Sequence, residues 1–89
     1  YVFTDKKAEK LFAKLEDAYM DYDYATILAN EAAINDYFVP KQDTLTARVF
    51  TFLGESYEFE RGDLDKALEF YSKELSIRRK LTPENVSSD

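Results

Sequence analysis

Turn-forming residues are too sparse in this chain for a fold built from many short strands. Glycine and proline occur only as Gly54, Gly62, Pro40 and Pro83 in 89 residues, whereas a sandwich or barrel calls for a turn signal about every 8–12 residues. What remains is a set of long stretches with apolar residues at helical spacing. Breaks at Asp21-Tyr22-Asp23, Pro40-Lys41-Gln42-Asp43 and Arg61-Gly62-Asp63 leave four of them, about Asp5 to Met20, Tyr24 to Val39, Thr44 to Glu60 and Leu64 to Leu81. Short loops make successive helices antiparallel neighbours. The expected fold is all-α, with four helices in two antiparallel hairpins and no strand.

The second hairpin carries the clearer pattern. Phe50, Leu53, Gly54 and Tyr57 fall on one helical face, and Leu64, Leu68, Tyr71 and Leu75 on another, with Ala67 beside them. Gly62 suits the left-handed position that ends a helix, and Asp63 can cap the next. Arg78, Arg79 and Lys80 sit where cations complement a helix C-terminus. In the first hairpin Leu11, Leu15 and Ala18 line one face, Asp23 is a cap, and Tyr24, Ile27, Leu28 and Ile34 supply the second apolar side.

The halves superpose. Leu11, Leu15 and Ala18 fall on Phe50, Gly54 and Tyr57, while Asp23, Tyr24, Ile27 and Leu28 fall on Asp63, Leu64, Ala67 and Leu68, a repeat of about 40 residues of the kind that marks helical solenoids. The run Phe50-x2-Leu53-Gly54-x2-Tyr57, then Ala67-x3-Tyr71, then Pro83 resembles the tetratricopeptide repeat family. Phe50 stands where that pattern has Trp, the turn after Tyr57 is one residue longer, and the first repeat has Lys14-Leu15 for Leu-Gly and Glu31 for the aromatic. The long period and the ending from Ile77 to Asn85 are similar to the extended repeats of kinesin light chains and related bacterial scaffolds. The resemblance implies one helical-repeat unit, repeat one at about 5–40 and repeat two at about 44–83, with Gly54 and Ala67 as points of close helix approach. The start at Tyr1, and Thr82-Pro83-Glu84 as a new helix start, lead to the expectation of a fragment of a longer array.

The resemblance also implies a binding scaffold whose first helices form a concave face for a peptide or helix of a partner. At about 100° per residue, Arg48, Phe52, Glu55 and Phe59 lie opposite the Phe50–Tyr57 stripe. Glu9, Ala13, Glu16 and Met20 match them on the first helix, with Phe12 and Tyr19 beside that stripe. Apolar groups among carboxylates suit a basic or apolar peptide and repel an acidic tail. The competing reading packs Phe12, Phe52, Phe59, Met20 and Tyr19 helix against helix. Phe70, Ile77 and Leu81 form a second apolar stripe on the fourth helix. It is expected to remain uncovered by the two hairpins and to serve, as the alternative function, in self-association to a homodimer.

Other functions find little to stand on. The chain has no His and no Cys, which removes the commonest acid–base, nucleophilic and zinc roles, so no catalytic residue, metal or cofactor is assigned. Glu16, Asp17, Asp21 and Asp23 lack the spacing of a calcium loop. A net charge of −6 disfavours nucleic acid and anionic membranes, and no apolar run reaches the roughly 18 residues of a membrane span. An intracellular, cytoplasmic location is the expectation from a Cys-free chain.

Overall fold

The computed structural model describes residues 5–81. Pro83, the Thr82-Pro83-Glu84 start and the end of the Ile77–Asn85 stretch lie outside the described residues. Among those described, every element is helical: α1 (Lys6–Met20), α2 (Tyr24–Ala29), α3 (Glu31–Tyr37), a 3-10 turn (Val39–Lys41), α4 (Thr44–Ser56), a π-helical turn (Tyr57–Arg61) that continues α4, and α5 (Leu64–Leu81). The expected second helix is therefore two. Asn30 breaks it, because its side-chain amide donates to the Thr26 carbonyl at 2.7 Å while its backbone N–H turns to Ile27 O at 3.1 Å. The side chain thus takes the acceptor that the i−4 backbone bond would use.

Local chemistry sets the other boundaries. Asp5 caps α1 through Lys7 N, Asp23 caps α2 through Thr26 N, and Asp63 caps α5 through Lys66 N. Asp43 and Thr46 form a reciprocal capping box on α4, and the buried Thr46 hydroxyl also donates to the Phe38 carbonyl at 2.5 Å. Three helical elements among the described residues end in the left-handed conformation, the 3-10 turn at Gln42 with φ +50 among them. Gly62 closes the π turn at φ +65. Tyr22 closes α1 at φ +58, where Tyr22 N donates to Tyr19 O at 3.1 Å and Asp23 N to Ala18 O at 2.7 Å. This is the bond pattern that glycine usually completes, and Tyr22 occupies the place in the first half that Gly62 holds in the second. A non-glycine residue there costs about 1–2 kcal/mol.

α4 is the centre of the molecule. It packs against α5, α2 and α1 and buries Leu45, Ala47, Val49, Phe50, Phe52 and Leu53. A helix covered on most sides is apolar on most sides. Ala8, Phe12, Leu15 and Ala18 of α1 face it, with Ile27, Ile34 and Phe38 closing the core. Gly54 and Ala67 are both buried, and the Tyr71 ring lies on Gly54.

The inward face of α5 differs from expectation. Phe70 and Ile77 are buried, whereas Leu64, Leu68 and Leu75 are 60%, 62% and 49% exposed. Phe70 lies between Phe50 and Tyr57, with ring centroids 5.8 and 5.6 Å away. The expected uncovered strip of Phe70, Ile77 and Leu81 is thus a core face, with only Leu81 at its end still about half exposed. The open strip is the leucine one. Periodicity finds both stripes on α5, but the small Ala67 and the ring-filled space beside Phe50 decide which turns inward.

Three phenol–carboxylate hydrogen bonds tie the helices together. Tyr19 donates to Glu55 at 2.5 Å between α1 and α4, Tyr57 to Glu31 at 2.5 Å, and Tyr71 to Glu58 at 2.8 Å.

Candidate functional site

The expected concave stripe divides into a packed half and an open half. Phe12 and Phe52 are buried, their ring centroids 6.2 Å apart, so the helix-against-helix reading holds for both and neither offers a surface. Phe52 also meets Tyr19 at 4.5 Å. Over these two rings lies the Arg48 guanidinium, 5.9 Å from the Tyr19 centroid and 5.2 Å from that of Phe52. Glu16 stands 3.6 Å from Arg48 Nε. That Nε is enclosed and makes no hydrogen bond, so its compensation is the nearby carboxylate and the ring faces. Arg48, Glu16, Tyr19 and Phe52 therefore form a closed set: a cation held over aromatic faces beside an acid.

Further along the same side of α4 the surface opens. Phe59 is 62% exposed on the π turn, and Met20 and Tyr22 are 75% and 77% exposed at the end of α1. Tyr24, the first residue of α2, lies between Tyr22 and Phe59, with centroid separations of 6.4 and 5.8 Å. Tyr22, Tyr24, Phe59 and Glu55 line a shallow depression of about 470 Å³. Of the six expected binding residues, Glu55 and Phe59 are brought together here, Glu16 and Arg48 pair with each other, and Phe12 and Phe52 enter the core.

Tyr22 and Tyr24 were not legible as site residues. Tyr22 sits between aspartates in Asp21-Tyr22-Asp23 and reads as part of a turn, while Tyr24 reads as part of the apolar side of the second helix. The available signal was a tyrosine where the equivalent position of the second half has Gly62.

The Glu55 carboxylate shapes the electrostatics of this end. The hydrogen bond from Tyr19 to Glu55, with burial and the Glu55 charge, pushes the Tyr19 phenol up to about 12. Tyr24 is also raised, first by burial and then by the Glu55 charge. Both shifts reflect phenols that stay protonated beside a negative group. A carboxylate that accepts from Tyr19 has further lone pairs for other donors.

A second depression, about 390 Å³, lies between α4 and α5 and is lined by Val39, Gln42, Phe50, Ser72, Lys73 and Ser76. It offers hydroxyls, an amide and one ammonium, and no opposing acid. Among the described residues no cluster of acidic or other ligating side chains is arranged to hold a metal ion, and no helix is long and apolar enough to cross a membrane. Comparison with family models, curated proteins and solved structures returns no match.

Proposed function

We propose that this chain is a non-catalytic protein-interaction module of the tetratricopeptide type, which holds a basic, partly apolar peptide segment of a partner against the open end of α1 and α4. The observation that carries the reading is a row of rings beside the Glu55 carboxylate, with exposed Tyr22 and Phe59 on either side of half-buried Tyr24. Exposed aromatics next to a fixed charge are typical of binding centres, and the helices beneath them are joined by the Tyr19–Glu55 and Tyr57–Glu31 hydrogen bonds. The repeat reading draws support from Gly54 under Tyr71, from buried Ala67 and from left-handed Gly62 before the Asp63 cap.

Titration with two peptides of matched length and apolar content, one basic and one acidic, tests the proposal. The basic peptide should bind more tightly and Phe59→Ser should weaken it. Preference for the acidic peptide would refute the reading.

Self-association is the second reading, favoured by the exposed strip of Leu64, Leu68 and Leu75. Sedimentation over a concentration series should then show a dimer that Leu68→Asp with Leu75→Asp dissociates while helicity is retained.

A further inference from the structure

We infer that Tyr22, Tyr24, Phe59 and Glu55 form a cation-binding site that receives the ammonium or guanidinium head of a lysine or arginine carried by the partner. The inference rests on the peptide-binding reading and names the group that the site selects.

The molecule contains its own example of the chemistry. About two turns back along α4 from Glu55, Arg48 lies over the Tyr19 and Phe52 rings with Glu16 beside it. The open end has the same kinds of part, a carboxylate and aromatic rings, with three rings where Arg48 has two. No lysine or arginine among the described residues stands over those rings; the other cation–ring contacts are Lys66 on Tyr57 and Lys73 on Phe70. Aromatic faces attract cations through their quadrupole, the more strongly as the cation leaves water. Glu55 is held in place by Tyr19, and the net charge of −6 favours approach of a basic segment.

A second, independent observation is the backbone of Tyr22. It adopts φ +58 in a motif that the second half completes with Gly62. Glycine would meet the same geometry without strain, yet the chain places a large ring there and leaves it 77% exposed. The ring adds little to the core, and it supplies one wall of the site. Local strain of this kind gathers at functional positions.

The experiment uses the full chain and three capped tripeptides, Leu-Xaa-Leu, in which Xaa is lysine, trimethyllysine or the neutral carbon isostere of trimethyllysine. Binding is followed by NMR shifts of the Tyr22, Tyr24 and Phe59 rings. The trimethyllysine peptide should bind at least about threefold more tightly than its isostere. Glu55→Gln and Phe59→Ser should each reduce that preference, and Glu16→Gln should leave it unchanged. Tyr22→Gly should weaken it while raising the melting temperature, a pairing that a purely structural tyrosine would not give. Equal affinity for cation and isostere overturns the cation site and leaves the peptide-binding reading standing. No binding of these peptides or of the longer basic peptide overturns both.

Discussion

Gly54 offers a sharp test of the packing between α4 and α5. Alanine in place of a helical glycine normally stabilises by about 0.8–1.0 kcal/mol through backbone propensity. Here the new Cβ would stand 2.7 Å from Tyr71 Cδ1 and 3.0 Å from Cζ, against an optimum of about 3.5–4.0 Å for carbon pairs. The ring must retreat by about 1 Å, and it is not free to do so, because its hydroxyl donates to Glu58 at 2.8 Å. Overpacking costs about 1–3 kcal/mol, and a hydrogen bond to a charged group contributes about 1.5–3 kcal/mol. Taking about 2 kcal/mol for the displacement and subtracting the propensity gain leaves Gly54→Ala destabilising by about 1 kcal/mol, or about 4–8 °C in Tm for a domain of this size.

The sign should reverse once the ring is gone. In a Tyr71→Ala background Gly54→Ala should stabilise by about 1 kcal/mol, so the double-mutant cycle should give a coupling of about 2 kcal/mol. Urea denaturation followed by far-ultraviolet circular dichroism measures all four corners. If Gly54→Ala stabilises the wild-type chain, or acts with the same sign in both backgrounds, the close approach of Tyr71 to Gly54 is wrong.

The remaining predictions concern α5 and high pH. Phe70→Ala should destabilise by about 3–5 kcal/mol as a core truncation, while Leu68→Ser, on the exposed strip, should change stability by no more than about 0.5 kcal/mol; the opposite ranking in urea denaturation would mean that α5 is rotated. Tyr19 and Tyr57 are each raised to about 12, chiefly by their hydrogen bonds to Glu55 and Glu31, so the fold favours the protonated phenols. Their contribution is complete below the ordinary tyrosine pKa of about 10 and is lost as pH rises from there through about 12. Urea midpoints should fall across that window, and Tyr19→Phe with Tyr57→Phe should flatten the fall; a slope unchanged in the double variant would contradict the assignment.

The helical class was legible because spacing and sparse turn formers are backbone-level signals. Caps at Asp23 and Asp63 and the turn at Gly62 follow from side-chain size and hydrogen bonding within a few residues, so they too were readable; Asp43 was read only as part of a break, and its capping box with Thr46 came from the structure. Asn30 was harder. It sits inside a helical pattern, and its amide competes with the backbone only in one rotamer, a choice that composition does not reveal. Phe12 and Phe52 were misplaced for a different reason. Two apolar sides on α4 suggest a core side and a binding side only if α4 is at the surface, and here it is covered by α1, α2 and α5.

The two stripes of α5 show where one-dimensional reasoning ends. Leu64, Leu68 and Leu75 satisfy helical spacing as well as Ala67, Phe70 and Ile77 do, and by size and hydrophobicity the leucines make the more uniform face. The decision lies on α4. Phe50 and Tyr57 leave a slot that a ring fills and a leucine would not, and Phe70 enters it in a stacked pose, 12° from the Tyr57 plane. With Phe70 fixed, helical geometry brings Ala67 and Ile77 inward, sets Tyr71 at the margin over Gly54, and turns the leucines out. A face that is apolar, regular and unused by its own hairpin remains available for contact with another helix. It lies on α5, while Tyr22, Tyr24 and Phe59 belong to α1, α2 and the π turn, so a helix contact through the leucines and a peptide at the open rings draw on separate sets of side chains.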